Sequence, residues 1–237
     1  MHGTFEQITQ MIQQAHDELG HQRGWRFLTV PRRTFELRPD IALLTLNPGG
    51  AGRDPSQGEA SCEYGCAYRM ESWGALPGKS ALQIQVLTLL EHLRSRLRPD
   101  TPSNEFMDAH VLGAYYLPFR SPSFAELVNP HKSLEFARSL WTQILTPWIP
   151  RLFVTIDRSG FAGIRDILTD TFSLSVGGSR TFLTGWGKCR AEVTRCVSGR
   201  GDVTTILRLP HLSTYKLLSR PSCLPHLSEI LDFAVTR

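Results

Sequence analysis

An asparagine follows directly after an apolar segment in LLTLNPGG, which spans residues 43–50. The side chain of Asn47 can orient a water molecule or pair with a polar ligand, because an amide offers both donors and an acceptor. Gly49 and Gly50 carry no side chain, so another molecule can approach their backbone closely. Alternatively, Asn47, Pro48 and the two glycines form only a turn.

A second apolar segment also ends in polar residues, in LRLPHLSTYKLLSR, residues 207–220. His211 can donate a hydrogen bond or exchange a proton near neutral pH. Ser213 and Lys216 are types that contact phosphate, and Tyr215 can stack on or wedge beside a base. The alternative for His211 is a histidine that is merely packed or solvent-exposed.

Helices and strands alternate along the chain without an internal repeat or a long linker. Buried strands are predicted at residues 41–46, 109–117, 151–156 and 203–209, and the glycine-rich segments before the last strand predict an inserted hairpin. Amphipathic helices are predicted at residues 4–19, 80–97 and 133–148, with another after residue 158.

This alternation predicts an α/β fold in which a mainly parallel four-stranded sheet lies between two layers of helices. With 41% hydrophobic residues among 237, the chain can form the core of one domain, residues 1–237. Ligands of such sheets bind at the carboxyl ends of the strands. Asn47 and His211 are therefore expected at the same edge.

The net charge of +4 is unevenly distributed along the chain. Residues 177–220 contain eight Lys or Arg and only two acidic residues, a net charge of +6. A local excess of this kind suits a ligand rich in phosphates, such as nucleic acid. The alternative is an ordinary solvated surface.

Three motifs resemble those of the uracil-DNA glycosylase superfamily and occur along the chain in the same order as in that superfamily. LLTLNPGG resembles the strand that ends in Asn-Pro-Gly in its mismatch-type and single-strand-selective branches, and LPHLSTYKL resembles its late His-Pro-Ser-like loop. YYLPFRSP, residues 115–122, resembles its middle strand, which ends in a Pro-Phe-Arg-Pro-like motif. The resemblance runs from Leu43 to Leu217 and implies the three-layer fold of that superfamily.

The resemblance also implies a role for each matching residue in base excision. Asn47 would orient the attacking water, and His211 would stabilise the departing base as a hydrogen-bond donor. The flipped base would enter a pocket at Pro48, Gly49, Gly50 and Tyr115. Aromatic residues after the first motif, Tyr64, Tyr68 and Trp73, could stack on the base, and the alternative for them is packing in the core or at the surface. DNA would be contacted by Arg120, Ser213, Tyr215, Lys216, Leu217 and Arg220, with Tyr215 and Leu217 wedged into the gap left by the base.

Two positions depart from the pattern of the superfamily. Tyr115 stands where an asparagine usually reads uracil, and a phenol cannot reproduce the paired contacts of an amide. Leu212 replaces the usual proline of the late loop. We therefore expect a monofunctional glycosylase acting on a noncanonical pyrimidine, such as the hydroxymethylated or glucosylated cytosine that some superfamily members excise from phage DNA. The alternatives are uracil or mismatch repair, and a catalytically silent nucleic-acid-binding module.

Two nearby segments imitate other motifs. GRDPSQG, residues 52–58, resembles the Gly-Gln-Asp-Pro signature of another branch of the superfamily, so Asp54 is the alternative to Asn47 for positioning the water. Asn47 is preferred because it follows the strand directly. GALPGKS, residues 74–80, has one residue too few between its glycines for a phosphate-binding loop, and no strand immediately precedes it.

The remaining composition bears on cofactors, partners and compartment. Five irregularly spaced cysteines do not form a disulfide framework, and Cys62 and Cys66 lack the second pair that a zinc or iron–sulfur site requires. We expect no metal and no cofactor. The sequence predicts a cytoplasmic monomer with DNA as its partner and without a membrane association.

Overall fold

A computed structural model describes residues 4–49 and 58–236. Its strands are β1 (Trp25–Arg26), β2 (Ile41–Thr45), β3 (Gly58–Glu59), β4 (Val111–Tyr115), β5 (Leu152–Thr155), β6 (Ser175–Leu183), β7 (Arg190–Val197) and β8 (Val203–Arg208). Its α-helices are α1 (Phe5–Glu18), α2 (Arg32–Leu37), α3 (Ala67–Met70), α4 (Ala81–Leu97), α5 (Ser103–Ala109), α6 (Pro130–Leu145), α7 (Arg158–Asp166), α8 (Leu212–Tyr215) and α9 (Leu224–Val235).

The main sheet has six strands in the order β4-β2-β5-β8-β7-β6, and β1 pairs with β3 in a separate two-stranded sheet. β4, β2, β5 and β8 are mutually parallel, whereas β7 and β6 are antiparallel. The predicted α/β class and the inserted hairpin are thus confirmed. The sheet is mixed and larger than the predicted four strands, because the β6–β7 hairpin pairs with β8 instead of standing apart from the sheet.

The central strands are buried because both faces of the sheet are covered by helices. Every residue of β2 is buried, as the uninterrupted apolar run predicts for a parallel strand. Successive side chains of a strand point to opposite faces. In β7, Arg195 donates to the backbone carbonyl of Phe233 in α9, whereas the neighbouring Cys196 lies near Arg165 of α7. α9 and α7 therefore cover opposite faces.

Two of the three long helices predicted from periodicity, α1 and α4, begin directly after a residue whose side chain caps them. The Ser80 hydroxyl accepts a hydrogen bond from the Gln83 amide at 3.3 Å, and the Gln83 side chain accepts one from the Ser80 amide at 3.1 Å. This reciprocal capping box fixes the start of α4. Thr4 and Gln7 form the same arrangement at the start of α1. The capping residues thus fix the residue at which each of these two helices begins.

The two edge strands of the main sheet, β4 and β6, differ in whether another segment lies along their outer side. Residues 25–29 run antiparallel along the outer side of β4, with isolated bridges from Trp25 to Phe119 and from Leu28 to Ala114. β6 forms the other edge, and within the described residues it pairs only with β7. A bulge between Val176 and Gly178 interrupts that pairing. Residues 25–29 therefore bring Arg26 beside the end of β4.

Candidate functional site

The loops that follow the four parallel strands all lie at one end of the sheet, next to the carboxyl ends of these strands. The Tyr116 amide donates to the Thr45 carbonyl at 2.8 Å, and the Leu209 amide donates to the Thr155 carbonyl at 2.8 Å. These bonds continue the pairing just beyond the strand ends, where neighbouring strands lie about 4.8 Å apart. Asn47 follows β2, Asp157 follows β5 and His211 follows β8. Three polar side chains thus follow three adjacent strands.

Asn47 has a fixed amide orientation. Its Nδ2 donates to the carbonyls of Ser121 at 3.2 Å and Pro48 at 3.3 Å. Because two carbonyls attract the amino group, the amide oxygen is assigned to the opposite side. Within the described residues that oxygen accepts no side-chain hydrogen bond. With respect to residues 4–49 and 58–236, this oxygen is an acceptor that could hold a water molecule or another donor.

The loop that carries Asn47 is tied to the loop that follows β4. The Ser121 amide donates to the Pro48 carbonyl at 3.1 Å, and Ser121 is buried. Pro48 is also buried, whereas Gly49 is exposed. A Cβ atom at Gly49 would have open space around it. Gly50 and Asp54 lie outside the described residues, so the choice between Asn47 and Asp54 stays a prediction in favour of Asn47.

His211 follows Pro210 and stands at the start of α8 with an exposed side chain. Its Nδ1 lies 2.9 Å from the Ser213 hydroxyl. Desolvation by the surrounding chain lowers the pKa of His211 below the usual value, so the ring is neutral at pH 7. When the Ser213 hydroxyl donates to Nδ1, the ring proton is on Nε2. His211 can then offer Nε2–H as a neutral donor.

The residues after His211 differ in how far they reach solvent. Lys216 is exposed and has a positive φ of 49°, which turns the chain sharply at that point. Tyr215 is half-buried. Leu217 is 0% exposed because its apolar side chain packs into the core, and the wedge at Leu217 stays a prediction that requires this side chain to leave the core. The Ser213 hydroxyl lies beside His211, and its contact with phosphate stays a prediction.

The tip of the β6–β7 hairpin lies beside this loop. The Arg220 guanidinium stacks 3.5 Å from the ring centre of Trp186, and its Nε donates to the Tyr215 carbonyl at 2.8 Å. Trp186 is 42% exposed, and Lys188 is exposed beside it. The hairpin tip and the loop after His211 therefore form one aromatic and basic surface.

Basic residues of segment 177–220 lie at both ends of the strands of the sheet. β7 starts where β8 ends, so the start of β7 and the loop with His211 lie at the same end of the sheet. This end carries Lys188, Arg190, Lys216 and Arg220. Arg200 lies in the turn between β7 and β8, at the opposite end. The single basic face expected from the sequence is therefore smaller than the charge count indicates.

The three tyrosines predicted to contact the base differ in how deeply they are buried. Tyr115 and Tyr68 are buried, and the Tyr68 ring packs edge-on against Trp73 with centroids 4.9 Å apart. Tyr64 is 88% exposed in a tight turn and faces solvent. Burial raises the pKa of Tyr115 to about 12, although the charges of Arg26 and Arg120 oppose the rise. The phenol of Tyr115 is therefore protonated at neutral pH.

Four charged residues surround Tyr115. Arg26 is 5% exposed and forms a two-pronged ion pair with Glu71, in which Nη1 donates to Oε2 at 2.7 Å. Arg120 donates to Glu59 at 2.9 Å, and Glu59 also lies 3.4 Å from Arg26. Arg120 is thus engaged with a carboxylate in this structure, where the sequence predicted a phosphate contact.

The sequence analysis missed Asp157, Arg26 and Glu71. Asp157 could have been found by the rule that identified Asn47 and His211, since it follows β5 directly. Arg26 and Glu71 are 45 positions apart and belong to no recognisable motif. Only the folded chain brings them together.

Charged side chains also lie at the opposite end of the sheet, where Arg38, Arg98, His110, Arg151 and Arg200 are among the residues that line a cavity. The cavity has a volume of about 1320 Å³ and is lined by the turn after β7 and by the last residues of α4, α6 and α9. Residues 4–49 and 58–236 contain no cluster of three or more His, Cys, Asp or Glu suited to a metal ion. In the same ranges, no helix is both long and apolar enough to cross a bilayer.

Asn47, Asp157 and His211 thus follow β2, β5 and β8 at one end of the sheet. Comparisons of the chain with models of protein families, with curated proteins and with solved structures gave no match. The geometry of this edge, together with the three sequence motifs, is the basis for a function.

Proposed function

We propose that this protein is a monofunctional DNA glycosylase that hydrolyses the N-glycosidic bond of a noncanonical pyrimidine. The observation that carries the proposal is the fixed amide of Asn47, whose oxygen has no side-chain donor within the described residues, at the same sheet edge as His211. The proposal rests on this juxtaposition together with the resemblance of the motifs to the uracil-DNA glycosylase superfamily.

The proposed reaction separates charge before water adds. As the glycosidic bond breaks, positive charge develops on the sugar and negative charge on the base. Asn47 is too weak a base to deprotonate water, but its amide oxygen can hold the water against C1′ of the sugar. The water oxygen bonds to C1′ and gives up a proton to solvent, and the released base anion takes up a proton. Asn47 thus contributes orientation.

His211 would stabilise the departing base. A neutral imidazole that donates through Nε2 can hydrogen-bond to the base oxygen where negative charge accumulates. The lowered pKa of His211 favours this neutral form at pH 7. Its backbone position at the end of β8 and its contact with Ser213 restrict the orientation of the ring.

DNA binding would use the surface formed by the hairpin tip and the loop after His211. A flipped nucleotide leaves a gap in the duplex, and proteins fill such gaps with aromatic or apolar side chains. Tyr215 and Trp186 are the aromatic side chains of this surface, and Lys188, Lys216 and Arg220 supply positive charge for phosphates. The fully buried Leu217 is not included.

The first experiment measures base release directly. End-labelled duplexes that carry uracil, 5-hydroxymethylcytosine or its glucosylated form are incubated with the protein and then cleaved with alkali at abasic sites. Asn47→Ala should abolish release while DNA affinity stays within several-fold, because Asn47 orients water and does not contact phosphate. Asn104→Ala, which removes an exposed amide on α5, is the matched control.

The outcomes separate the candidate functions. Unchanged release by a folded Asn47→Ala protein would exclude Asn47 and favour Asp54. Efficient removal of uracil with no action on modified cytosine would favour uracil or mismatch repair over a role in defence against phage. No release from any substrate, with DNA binding retained, would favour a silent nucleic-acid-binding module.

A further inference from the structure

The cavity of about 1320 Å³ at the end of the sheet opposite Asn47 and His211 has no role in the mechanism proposed above. Among its lining residues, Ile41, Leu152 and Thr205 are each only 5% exposed and form its floor. Ile41 pairs with Leu152, and Leu152 pairs with Thr205, in three adjacent strands. Neighbouring strands lie about 4.8 Å apart, so this floor extends over about 10 Å. The cavity is therefore long enough for an elongated ligand.

The walls of the cavity are largely apolar. The last residues of α4, α6 and α9 contribute Leu97, Leu145 and Val235. Trp148 follows three residues after the end of α6, lines the same cavity and is partly buried. Ligand pockets typically combine apolar walls of this kind with a few polar groups that fix the orientation of the ligand. The floor and walls can therefore cover the flat ring of a ligand, with removal of its apolar surface from water as the driving force.

The exposed part of the cavity lining is basic. Four exposed arginines from four separate segments belong to it, namely Arg38, Arg98, Arg151 and Arg200. Within residues 4–49 and 58–236, none of these four guanidinium groups forms an ion pair or a side-chain hydrogen bond. The acidic residues of the lining are Asp40 and Asp202, so its net charge is 4 minus 2, or +2, with histidine neutral. The lining therefore favours an anion.

Helix ends account for only two of these arginines. Arg38 directly follows α2 and Arg98 directly follows α4, where the negative end of the helix dipole stabilises a cation. Arg151 directly precedes β5, and Arg200 lies in the turn between β7 and β8, so neither lies in the last turn of a helix. An arginine has five N–H donors in a planar fork that matches the oxygens of phosphate. Arg151 and Arg200 are therefore the groups most directly available to an anionic ligand.

We propose that this cavity binds a free nucleotide with several phosphate groups, whose phosphates contact Arg151 and Arg200 and whose ring packs against the apolar floor and Trp148. A single phosphate reaches only part of a lining that extends across three strands, whereas a chain of phosphates can contact arginines from more than one segment. A nucleic-acid duplex presents its phosphates on a convex surface, which does not fit a recess. The site is separate from the proposed glycosylase function and does not depend on it.

The first test measures the class of ligand on the wild-type protein. ATP, inorganic tripolyphosphate and adenosine are titrated by calorimetry without divalent metal, so that the phosphates keep their full charge. ATP should bind at least about tenfold more tightly than tripolyphosphate, because burial of about 60 Å² of the apolar surface of the ring accounts for a factor of about ten. It should also bind at least about tenfold more tightly than adenosine, which has no phosphate for the arginines. Absence of ATP binding, or an affinity equal to that of either fragment, would overturn the assignment of a nucleotide.

The second test locates ATP with variants of exposed arginines. Arg151→Ala and Arg200→Ala should each weaken ATP binding by about tenfold, since each removes charged hydrogen bonds to phosphate. Arg190→Ala, at the end of the sheet that carries His211, is the matched control and should leave the affinity unchanged. Equal losses in all three variants would show a general attraction of ATP to basic surface and would overturn the site. Unchanged affinity in folded Arg151→Ala and Arg200→Ala proteins would also overturn it.

The fluorescence of Trp148 provides a readout that does not depend on the arginine variants. Of the five tryptophans of the chain, only Trp148 lines the cavity. ATP should quench part of the wild-type emission, and this part should be missing in Trp148→Phe, which keeps an aromatic ring. Quenching that persists in full in Trp148→Phe would place ATP elsewhere and overturn the site. Neither readout involves base release, so this site and the glycosylase function are tested separately.

Discussion

Replacing Asp157 by asparagine should stabilise the protein at pH 8 but not at pH 4. Asp157 caps α7, where its Oδ1 accepts a hydrogen bond from the Gly160 amide at 2.6 Å. Its Oδ2 is buried and has no hydrogen-bond partner among the described residues. Burial raises the pKa of Asp157 from 3.8 to about 6, against the opposing effects of the Gly160 and Ser159 amides and of Arg208.

The sign and size of the effect follow from proton binding. The folded protein binds the Asp157 proton more tightly than the unfolded chain, so the stabilising contribution is complete below pH 3.8 and is lost as the pH rises through about 6. A difference of about 2 pKa units corresponds to about 3 kcal/mol. The side-chain amide of the Asp157→Asn variant would be uncharged at every pH, and asparagine caps helices as well as aspartate does. The variant should therefore gain up to about 3 kcal/mol at pH 8.

Urea unfolding of both proteins at pH 4, 6 and 8 measures this difference. The gap in unfolding free energy should be small at pH 4 and should widen with increasing pH. Asp100→Asn, at an exposed site, is the matched control and should show no such widening. A gap that is independent of pH, or a variant that is less stable at pH 8, would refute the assignment of a buried, costly carboxylate to Asp157.

Three further predictions concern the proposed activity. His211→Ala should slow excision by about 100- to 1000-fold, with a larger loss for poorer leaving groups, and equal losses across bases would mark the histidine as structural. Lys216→Ala should lower the slope of log affinity against log salt by about one, whereas Arg200→Ala, at the opposite edge, should leave it unchanged. If Lys216 and Arg200 behave alike, the division of charge between two edges has no bearing on DNA binding. Trp186→Ala should weaken binding of DNA by about 10- to 100-fold if the indole stacks on a base, and an unchanged titration would exclude that contact.

The fold could be predicted from the sequence where the hydrophobic pattern of a segment matches its burial in the folded chain. The uninterrupted apolar run of β2 indicated a strand buried on both faces, and the structure has all five of its residues buried. The meeting of Asn47 and His211 at one edge followed from the rule for parallel strands. β1 and β3 were not predicted, because each contains two residues and is too short for a period to be recognised.

The composition of the site was less predictable than its location. Leu217 follows the exposed Lys216 and so looks like a surface residue in the sequence, but the turn at Lys216 directs it into the core. Glu71 precedes an exposed-looking segment, and its ion pair with the buried guanidinium of Arg26 forms only in the folded chain. Such tertiary pairs leave no periodic signal, because their two members come from segments that are distant in sequence.

The two edge strands, β4 and β6, bear on whether the protein aggregates at high concentration. An unpaired edge strand is a template on which another chain can add, and this is a common route to aggregation. Residues 25–29 cover the β4 edge, so that side is closed. At the β6 edge, the bulge between Val176 and Gly178 and the charge of Arg180 interrupt the regular row of backbone donors and acceptors. The hairpin that extends the sheet therefore ends it in an interrupted strand, which gives a second chain a less regular edge on which to add.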